Sequence, residues 1–428
     1  MKIAFHTLGC KVNQYDTQVM LELLQNAGHE IVEYGQPTDV CIINTCTVTH
    51  IADKKSRQAV SHACETMPGA KIVLTGCYAQ SAPEAVSKIN GIDMVVGISD
   101  RSRIAELVEI LFEGNRDKRV NVSPTATAFE ESSAIHDGKT RAHLKIQEGC
   151  DRYCSYCVIP YARGRIRSRT IEGVRQELLK LDGEGFKEVV LTGIHLMSYG
   201  RDLEGRVSLI DAIDQAYGLS SIRRLRLGSL EPQLSDKQFI DALAKRRIVC
   251  RHFHLSLQSG SDAVLKRMNR RYTTDDYMKC VDHLREAIPG CAITTDIIAG
   301  FPGETEKEFK ETLHFAERVS FSRIHVFPYS KRDGTAAARM PDQVQRAVKA
   351  RRAAELIELG DKMECAFSES LIDTFQEVLI ESNEGGYAYG YTDTYVKIKT
   401  KSAGEDLLNT IIKVKVTGRG EGELTDQQ

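Results

Sequence analysis

The stretch GCDRYCSYC, residues 149–157, guides the interpretation of the whole chain because its cysteines follow the pattern CxxxCxxC. They are Cys150, Cys154 and Cys157. A closed zinc or iron–sulfur site takes four ligands. Three thiolates would leave one metal position open, so the loop predicts an iron–sulfur cluster with a reactive corner. Zinc is the alternative, with His143 as the nearest candidate for a fourth ligand.

A second set of three cysteines lies far upstream in the sequence. Cys10, Cys46 and Cys77 end the apolar runs IAFHTLGC, VCIINTC and KIVLTGC, which we interpret as strands. In an open parallel sheet, ligands bind outside the carboxyl ends of the strands. We therefore expect these cysteines to meet at one edge of a sheet and to form a second reactive cluster that faces the first.

The order of apolar and amphipathic segments predicts an α/β protein of several domains. Residues 1–115 are predicted to form an open parallel α/β sheet domain, 116–140 a polar linker, 141–370 a partial (β/α)6 barrel, and 371–428 a small all-β barrel. The candidate barrel strands are His143–Gln147, Glu188–Thr192, Arg223–Gly228, His252–Leu257, Ala292–Ile298 and Arg323–Phe327. Cys150 follows the first of them, at the face where barrel enzymes carry their catalytic groups.

Composition restricts the class of protein. The chain has 428 residues and a formal net charge of −2, so any RNA-binding surface must be local. No apolar run is long enough for a signal peptide or a membrane span, which predicts a cytoplasmic location and no membrane partner. The uneven spacing of the 12 cysteines favours metal ligation over disulfides.

The loop GCDRYCSYC, with an aromatic residue before its third cysteine, resembles that of the radical S-adenosylmethionine (radical SAM) enzymes. The resemblance implies a [4Fe–4S] cluster on these cysteines, which binds the methionine part of S-adenosylmethionine and releases a 5′-deoxyadenosyl radical from it. It also implies cofactor contacts by Tyr156 and Ile298 to adenine, and by Glu231, Ser256 and Gln258 to the methionine and ribose. A role for each as an ordinary turn residue stays open.

Further motifs resemble the methylthiotransferases of this superfamily. TLGCKVNQYDTQ, INTCTVT and LTGCYAQ match their N-terminal domain, and LTGIHLMSYG, LSLQSGSDAVLKRMNRRYTT and IIAGFPGETE follow in the order of the family. The C-terminal module resembles a TRAM domain, which is an RNA-binding β-barrel. GCKVNQYDT and FPYSKRDGTAA are most similar to the branch that acts on threonylcarbamoyl-adenosine in tRNA.

The resemblance implies methylthiolation at carbon-2 of threonylcarbamoyl-adenosine 37, in the anticodon stem-loop of tRNA. A second [4Fe–4S] cluster on Cys10, Cys46 and Cys77 would hold the sulfur, and no catalytic residue beyond the cluster ligands is expected. Arg332 in FPYSKRDGT is the candidate partner of the threonylcarbamoyl carboxylate. The implied protein partners are an electron donor, such as flavodoxin or ferredoxin, and a sulfur donor.

Basic residues are candidates for contacts with tRNA. Arg163, Arg165 and Arg167 alternate just after the cysteine loop, where phosphate contacts are expected. Lys397 and Lys399 recur with period two, which places them on one face of a predicted strand. For each residue alone, a solvated surface or an ion pair is the alternative.

The motifs leave other functions open. The target could instead be isopentenyl-adenosine in tRNA or a side chain of a ribosomal protein. A non-catalytic iron–sulfur protein that binds RNA would have the same cysteines, and so would a zinc-bound structural protein. Cleavage of S-adenosylmethionine and metal analysis distinguish these classes.

Overall fold

A computed structural model describes residues 1–112, 119–134, 140–232, 237–402, 406–420 and 423–426. In chain order, the secondary structure divides into an N-terminal α/β unit, a central β/α unit and a C-terminal unit made mostly of strands. The predicted α/β fold class is therefore confirmed.

The N-terminal unit is a parallel sheet with the strand order β2-β1-β3-β4-β5-β6. Its strands are β1 Lys2–Thr7, β2 Glu30–Val32, β3 Val40–Thr45, β4 Lys71–Gly76, β5 Met94–Val96 and β6 Arg119–Asn121. Alternate residues of β3 pack on opposite faces, Val40 and Ile42 on one and Cys41 and Ile43 on the other. The sheet is thus covered on both faces, as parallel sheets usually are.

Strand β6 lies inside the segment 116–140, which the sequence predicts to be a linker. Its backbone pairs with β5, although the side chain of Val120 at its centre is exposed. An edge strand needs only backbone partners on one side, so it requires no apolar pattern. The linker prediction is wrong at Arg119–Asn121 for this reason.

Helices connect the strands of the N-terminal sheet. They are α1 Lys11–Asn26, α2 His50–Thr66, α3 Cys77–Ser81, α4 Pro83–Ser87 and α5 Ile104–Ile110. Helix α2 begins where Thr49 Oγ1 accepts a hydrogen bond from Ala52 N–H at 3.1 Å. Helix α1 begins directly after Cys10, so its amino-terminal N–H groups lie beside that cysteine.

The central unit contains the six predicted parallel strands and a short antiparallel pair. Its strands are β7 Arg141–Lys145, β8 Gln147–Glu148, β9 Arg167–Ser168, β10 Glu188–Thr192, β11 Arg224–Leu227, β12 His252–His254, β13 Ala292–Ala299 and β14 Arg323–Pro328. Strands β8 and β9 form the antiparallel pair. The parallel sheets β11-β10-β7 and β12-β13-β14 are joined by the bridge between Leu230 and Leu255. Within the described residues no pairing joins β7 to β14, so the barrel is partial.

Helices connect the strands of the central unit. In the described part of the chain they are α6 Ile159–Arg163, α7 Ile171–Gly183, α8 Leu209–Asp214, α9 Lys237–Ala244, α10 Asp262–Arg267, α11 Thr274–Ala287, α12 Glu306–Val319 and α13 Arg346–Glu369. Capping boxes at Thr273 and Thr305 begin α11 and α12. Among the described helices, none is both long and apolar enough to cross a membrane.

The C-terminal unit is a sheet with the strand order β18-β15-β16-β17-β20-β19. Its strands are β15 Phe375–Glu384, β16 Tyr387–Thr392, β17 Lys397–Lys401, β18 Ile411–Lys415, β19 Gly418–Gly420 and β20 Glu423–Thr425. Val378, Ile380 and Ile398 belong to its apolar core. The small all-β module expected from the sequence is therefore present.

The C-terminal unit packs against the amino ends of the barrel strands. Arg224 Nη2 donates to Glu377 O at 2.7 Å, and Arg226 Nη2 donates to Thr392 O at 3.3 Å. Arg226 Nε also lies 2.7 Å from Glu188 Oε1. Basic residues at the start of β11 thus dock the C-terminal unit, and the opposite end of the barrel carries the cysteine loop.

A buried ionic network joins the N-terminal unit to the barrel. Asp16 of α1 lies 2.5 Å from Lys145 Nζ of β7 and 3.2 Å from Arg163 Nη2 of α6. Arg163 Nη1 lies 2.5 Å from Glu148, and Arg101 Nη1 lies 3.1 Å from Asp16. Burial alone would raise the pKa of Asp16, but the surrounding cations lower it. The carboxylate therefore stays charged between the two units.

Asp16→Asn is expected to destabilise the protein by about 3–5 kcal/mol, because it leaves buried cations without their shared anion. The midpoint of thermal unfolding, followed by circular dichroism, should fall clearly. The matched control is Asp361→Asn on the exposed surface of α13, which should change stability by no more than about 0.5 kcal/mol. Equal midpoints for Asp16→Asn and the unmodified protein would contradict the role of the network.

Candidate cluster and cofactor site

The barrel cysteines lie on a loop that follows β8 and leads into α6. Gly149 has a φ of +72°, and a Cβ there would lie 1.8 Å from a backbone oxygen, so only glycine allows this turn. Cys150 N–H closes the turn by donating to Gly164 O at 3.0 Å. Cys157 N–H donates to Cys154 O at 3.0 Å. The backbone therefore presents three thiols on one loop at the carboxyl end of the strands.

The buried carboxylate of Glu231 organises the cations beside this loop. Its oxygens lie 3.0 Å from Arg152 Nε, 3.0 Å from Arg270 Nη1 and 2.8 Å from His195 Nε2. Burial by itself would raise the pKa of Glu231, but the hydrogen bond from His195 and the guanidinium charges lower it to about 2. Arg270 Nη1 also donates to Cys154 Sγ at 3.3 Å. Glu231 thus holds a guanidinium that contacts a cysteine of the loop.

The donor set fits a four-iron cluster. Burial raises the pKa of Cys150 to about 11 and that of Cys157 to about 12, and a bound metal displaces such thiol protons. In the described part of the chain, no three His, Cys, Asp or Glu side chains gather as the site of one metal ion requires. In an iron–sulfur cluster, each thiolate binds a different iron atom. The three thiols of the loop are therefore compatible with an iron–sulfur cluster.

A cavity of about 250 Å³ lies beside the cysteine loop. Tyr156, Gln258 and Ile298, which are expected to contact the cofactor, line it together. Val48 and Thr49 of the N-terminal unit complete part of its wall. The cavity therefore lies between the two units, and the contact of its lining residues with the cofactor stays a prediction.

Ser256 and Glu231, also expected at the cofactor, do not belong to this lining. Ser256 O accepts hydrogen bonds from Tyr272 OH at 2.7 Å and from Arg270 Nη2 at 3.3 Å. Both residues therefore hold Arg270 in position. Direct contact with the cofactor stays a prediction for each.

Arg152, His195 and Arg270 are site residues that sequence reasoning missed. They lie within the motifs GCDRYC, LTGIHLM and KRMNRRY. No spacing rule connects such distant positions, and only the packing of the barrel loops brings them to one carboxylate.

The N-terminal cysteines meet at the carboxyl edge of their sheet, as the strand pattern predicts. Cys10 precedes α1, Cys46 follows β3, and Cys77 begins α3. A Cβ on Gly9, whose φ is +109°, would lie 2.9 Å from Cys46 Cβ, so glycine permits this close approach. Burial raises the pKa of Cys77 to about 12, an effect that Arg163 opposes and the two other cysteines increase.

Arg163 is buried, contrary to the expected contact with tRNA phosphate. Its side chain is 1% exposed, with Nε donating to Cys77 Sγ at 3.3 Å and Nη2 to Asn13 Oδ1 at 2.6 Å. Arg167 is also buried and donates to the backbone oxygens of Arg163 and Arg165, which contradicts its expected surface role. The loop turns inward because α6 packs against α3. Of the three arginines, Arg165 is exposed, and its phosphate contact stays a prediction.

Arg332 is the candidate partner of the threonylcarbamoyl carboxylate, but its guanidinium is already paired with a carboxylate of the chain itself. Its Nη1 donates to Asp53 Oδ2 at 2.6 Å, and its Nη2 donates to Thr47 Oγ1 at 2.5 Å. Both partners belong to the segment that follows Cys46, so Arg332 ties this segment to the barrel. The pairing could not be anticipated because 279 positions separate Arg332 from Asp53.

Lys397 and Lys399 lie on one face of β17, as their period predicts. Lys397 Nζ lies 5.1 Å from the ring centre of Tyr389, and Lys399 Nζ lies 4.4 Å from that of Tyr387. Cationic and aromatic groups therefore alternate on this surface. Their contact with tRNA stays a prediction.

Comparison with known proteins identifies the family. The Radical SAM superfamily matches residues 144–316, and the uncharacterized protein family UPF0004 matches residues 2–97. The chain is 41% identical to the threonylcarbamoyladenosine tRNA methylthiotransferase MtaB of Bacillus subtilis, over 98% of this chain and 94% of that protein. The chain belongs to the radical SAM tRNA methylthiotransferases.

Two further relatives have names that differ from each other. This chain is 38% identical to the protein called MtaB from Aquifex aeolicus, over 93% of this chain and 96% of the relative. It is 34% identical to the tRNA-2-methylthio-N(6)-dimethylallyladenosine synthase of Natranaerobius thermophilus, over 96% of this chain and 93% of the relative. Membership of the radical SAM family implies S-adenosylmethionine and a [4Fe–4S] cluster.

Solved structures share the fold of the methylthiotransferase. The radical S-adenosylmethionine methyltransferase TsrM from Kitasatospora setae has a TM-score of 0.56 and 18% identity, covering 76% of this chain and 74% of its own. The cobalamin-dependent radical enzyme OxsB has a TM-score of 0.55 and 13% identity, covering 84% of this chain and 56% of its own. At such identities the likeness concerns the fold alone.

Glu231→Gln is expected to slow the formation of 5′-deoxyadenosine from S-adenosylmethionine by about 10- to 100-fold, because a displaced guanidinium disturbs the geometry at the cluster. Iron content should not change, since Glu231 is not a thiolate ligand. Glu358→Gln on the exposed face of α13 is the matched control and should have no effect. An unchanged rate in Glu231→Gln, at unchanged iron content, would contradict the role of this carboxylate.

Proposed function

We propose that this methylthiotransferase acts on threonylcarbamoyl-adenosine 37 of tRNA and adds a methylthio group at carbon-2, using two [4Fe–4S] clusters. The choice of substrate rests on the name shared by three relatives, which are 41%, 38% and 37% identical to this chain. Each is called threonylcarbamoyladenosine tRNA methylthiotransferase. The motifs GCKVNQYDT and FPYSKRDGTAA support the same substrate.

In this proposal the barrel triad holds the cluster that works with S-adenosylmethionine. The bound pair supplies a radical able to open an unactivated aromatic C–H bond. The chain itself provides a charged hydrogen bond from Arg270 to Cys154 Sγ at 3.3 Å, which stabilises thiolate charge. Glu231 keeps that guanidinium in place, and the adjacent cavity with Tyr156 on its wall is the candidate space for the cofactor.

The N-terminal triad holds the second cluster in this proposal. Cys10, Cys46 and Cys77 supply three thiolates, and the remaining position would carry the sulfur to be transferred. The support is their convergence together with the guanidinium of Arg163, 3.3 Å from Cys77 Sγ. A buried cation at this distance offsets the negative charge that three thiolates bring into an apolar surrounding.

The tRNA substrate is proposed to meet surface residues on two units. Arg165 beside the barrel loop and the pair Lys397 and Lys399 on β17 would contact phosphates. Tyr387 and Tyr389, next to these lysines, would stack on unpaired bases. The reaction also needs an electron donor, such as flavodoxin or ferredoxin, and a sulfur donor.

Isopentenyl-adenosine is the second candidate substrate. The relative named as a dimethylallyladenosine synthase, at 34% identity, favours it. The two substrates need opposite surroundings, because the threonylcarbamoyl group carries a carboxylate and the isopentenyl group is apolar. The electrostatics near the adenine therefore discriminate between them.

Deletion of the gene in its host is expected to remove methylthiolated threonylcarbamoyl-adenosine from tRNA and to leave the unmethylthiolated nucleoside. Mass spectrometry of digested tRNA measures both. Return of the methylthiolated nucleoside on complementation is the control. Loss of methylthiolated isopentenyl-adenosine instead would contradict the first candidate and support the second.

Cys77→Ala is expected to abolish methylthiolation while cleavage of S-adenosylmethionine continues, because it removes a ligand of the second cluster only. Iron content should fall from about eight to about four atoms per chain. Cys154→Ala is the matched variant for the barrel cluster and should lose both activities. Full iron content and full methylthiolation in Cys77→Ala would contradict the second cluster.

A further inference from the structure

The side-chain amide of Asn13 lies at the point where the three cysteine segments of the N-terminal unit meet. Asn13 is in the first turn of α1, shortly after Cys10, and is fully buried. Its Nδ2 donates to Leu8 O at 2.8 Å and to Thr45 O at 2.9 Å. Leu8 belongs to the segment that ends at Cys10, and Thr45 directly precedes Cys46. One amide group therefore joins the segments that carry two of the cysteines.

The oxygen of the same amide faces the third cysteine. Asn13 Oδ1 accepts a hydrogen bond from Arg163 Nη2 at 2.6 Å and lies 3.9 Å from Cys77 Sγ. Arg163 Nε in turn donates to Cys77 Sγ at 3.3 Å. These partners fix the orientation of the amide, because carbonyl oxygens need a donor and a guanidinium needs an acceptor. Asn13 therefore contacts all three cysteine segments, two through Nδ2 and one through Oδ1.

A second asparagine, Asn44 of β3, binds back to the first. Asn44 Nδ2 donates to Asn13 O at 2.9 Å, which holds the first turn of α1 against the strand. The surrounding backbone is closely packed: a Cβ on Gly9 would lie 3.0 Å from Asn13 Nδ2, and one on Gly76 would overlap Asn44 Oδ1. Each of these glycines directly precedes a cysteine of the triad. They therefore allow the cysteine segments to approach the two amides.

The usual role of asparagine at the start of a helix does not account for these contacts. Such a side chain normally accepts hydrogen bonds from the N–H groups of the first turn. The N-cap residue of α1 is Cys10, whose side chain makes no capping hydrogen bond. The amide of Asn13 is instead engaged with the segment before the helix, with the neighbouring strand and with a guanidinium of the barrel unit. It therefore serves the triad rather than the helix.

We propose that Asn13 is the positioning residue of the N-terminal triad, and that its amide fixes the three thiols in the arrangement that holds the second cluster. This inference rests on the proposed function, in which the three thiolates bind that cluster. Removing a group that orients metal ligands typically costs about 10- to 100-fold in metal affinity or activity. Arg163, which Asn13 helps to orient, also donates to a ligand sulfur. Such a charged hydrogen bond raises the reduction potential of a cluster, because the reduced form carries more negative charge.

The barrel triad provides an internal reference in the same chain. It lies on the loop after β8, and the guanidinium that donates to its Cys154 Sγ at 3.3 Å is that of Arg270. Loss of the Asn13 amide should therefore leave the barrel cluster unchanged. A residue that only stabilised the fold would affect both clusters alike, so a comparison of the two separates positioning from general stability.

The test uses the full-length enzyme, reconstituted with iron and sulfide without oxygen. The variants are Asn13→Ala and Asn13→Asp, with Asn26→Ala at the exposed end of the same helix as the matched control. Each is made in the unmodified chain and in a Cys154→Ala background, which retains the N-terminal cluster. A chelator measures the rate of iron release. Electron paramagnetic resonance during a redox titration measures the midpoint potential.

Asn13→Ala should release the iron of the N-terminal cluster about 10- to 100-fold faster than the unmodified enzyme, because two cysteine segments lose their shared donor. The midpoint potential of this cluster should shift to a more negative value, since Arg163 loses an acceptor that orients it toward Cys77 Sγ. Iron release from the barrel cluster and cleavage of S-adenosylmethionine should not change. Asn26→Ala should match the unmodified enzyme in every measurement.

Asn13→Asp keeps the shape of the side chain and the acceptor for Arg163, so it provides the test if Asn13→Ala fails to fold. A carboxylate cannot donate to Leu8 O and Thr45 O, and it places a negative charge beside a thiolate ligand. Faster iron release and a more negative midpoint potential are expected, again for the N-terminal cluster alone.

Unchanged iron release and an unchanged midpoint potential in both Asn13 variants would overturn the positioning role. An equal effect on the two clusters would also overturn it, because it would indicate a general loss of stability. The proposed second cluster fails differently: the unmodified enzyme would then hold about four iron atoms per chain, and Cys77→Ala would not lower that number. That result would overturn the inference as well, and the iron content of the unmodified enzyme separates the two cases.

Discussion

The buried guanidinium of Arg163 is the interaction on which the rest of the site depends. It contacts Cys77 Sγ at 3.3 Å, Glu148 at 2.5 Å and Asp16 at 3.2 Å. A buried charge is tolerated only when its partners are complete and well placed. Because Asp16 belongs to α1 and Glu148 to the barrel, satisfying Arg163 holds the N-terminal sheet over the barrel. The same contact supports a thiol of the N-terminal triad, so domain docking and site formation share one side chain.

The two ends of the barrel are covered by different parts of the chain. The C-terminal unit covers the amino ends of the strands through Arg224 and Arg226. The carboxyl ends carry the cysteine loop, the cations held by Glu231, and a cavity whose wall includes Val48 and Thr49 of the N-terminal unit. Both cysteine triads therefore border the space between two units. In the proposed function, that space is where the adenine lies.

Patterns of apolar residues and cysteines were predictable, whereas the roles of charged residues were not. The six barrel strands and the convergence of Cys10, Cys46 and Cys77 follow from local periodicity and from the geometry of parallel sheets. Arg163 and Arg167 lie in RGRIRSR, residues 163–169, which resembles an exposed basic stretch, yet both are buried. Burial of a charge depends on partners elsewhere in the chain, and the partner Asp16 is 147 positions from Arg163.

The sequence by itself determined the α/β class, the order of the units and the two triads, because each is encoded in neighbouring residues. Glycine before Cys10 and before Cys150 is part of that local code, since both turns need a positive φ. Only the tertiary structure decided which cations are paired with carboxylates of the chain itself. Arg332 is paired with Asp53, and Arg163 is paired with Asp16 and Glu148. The physical reason is that side-chain charge is balanced by groups close in space, and folding brings those together from distant segments.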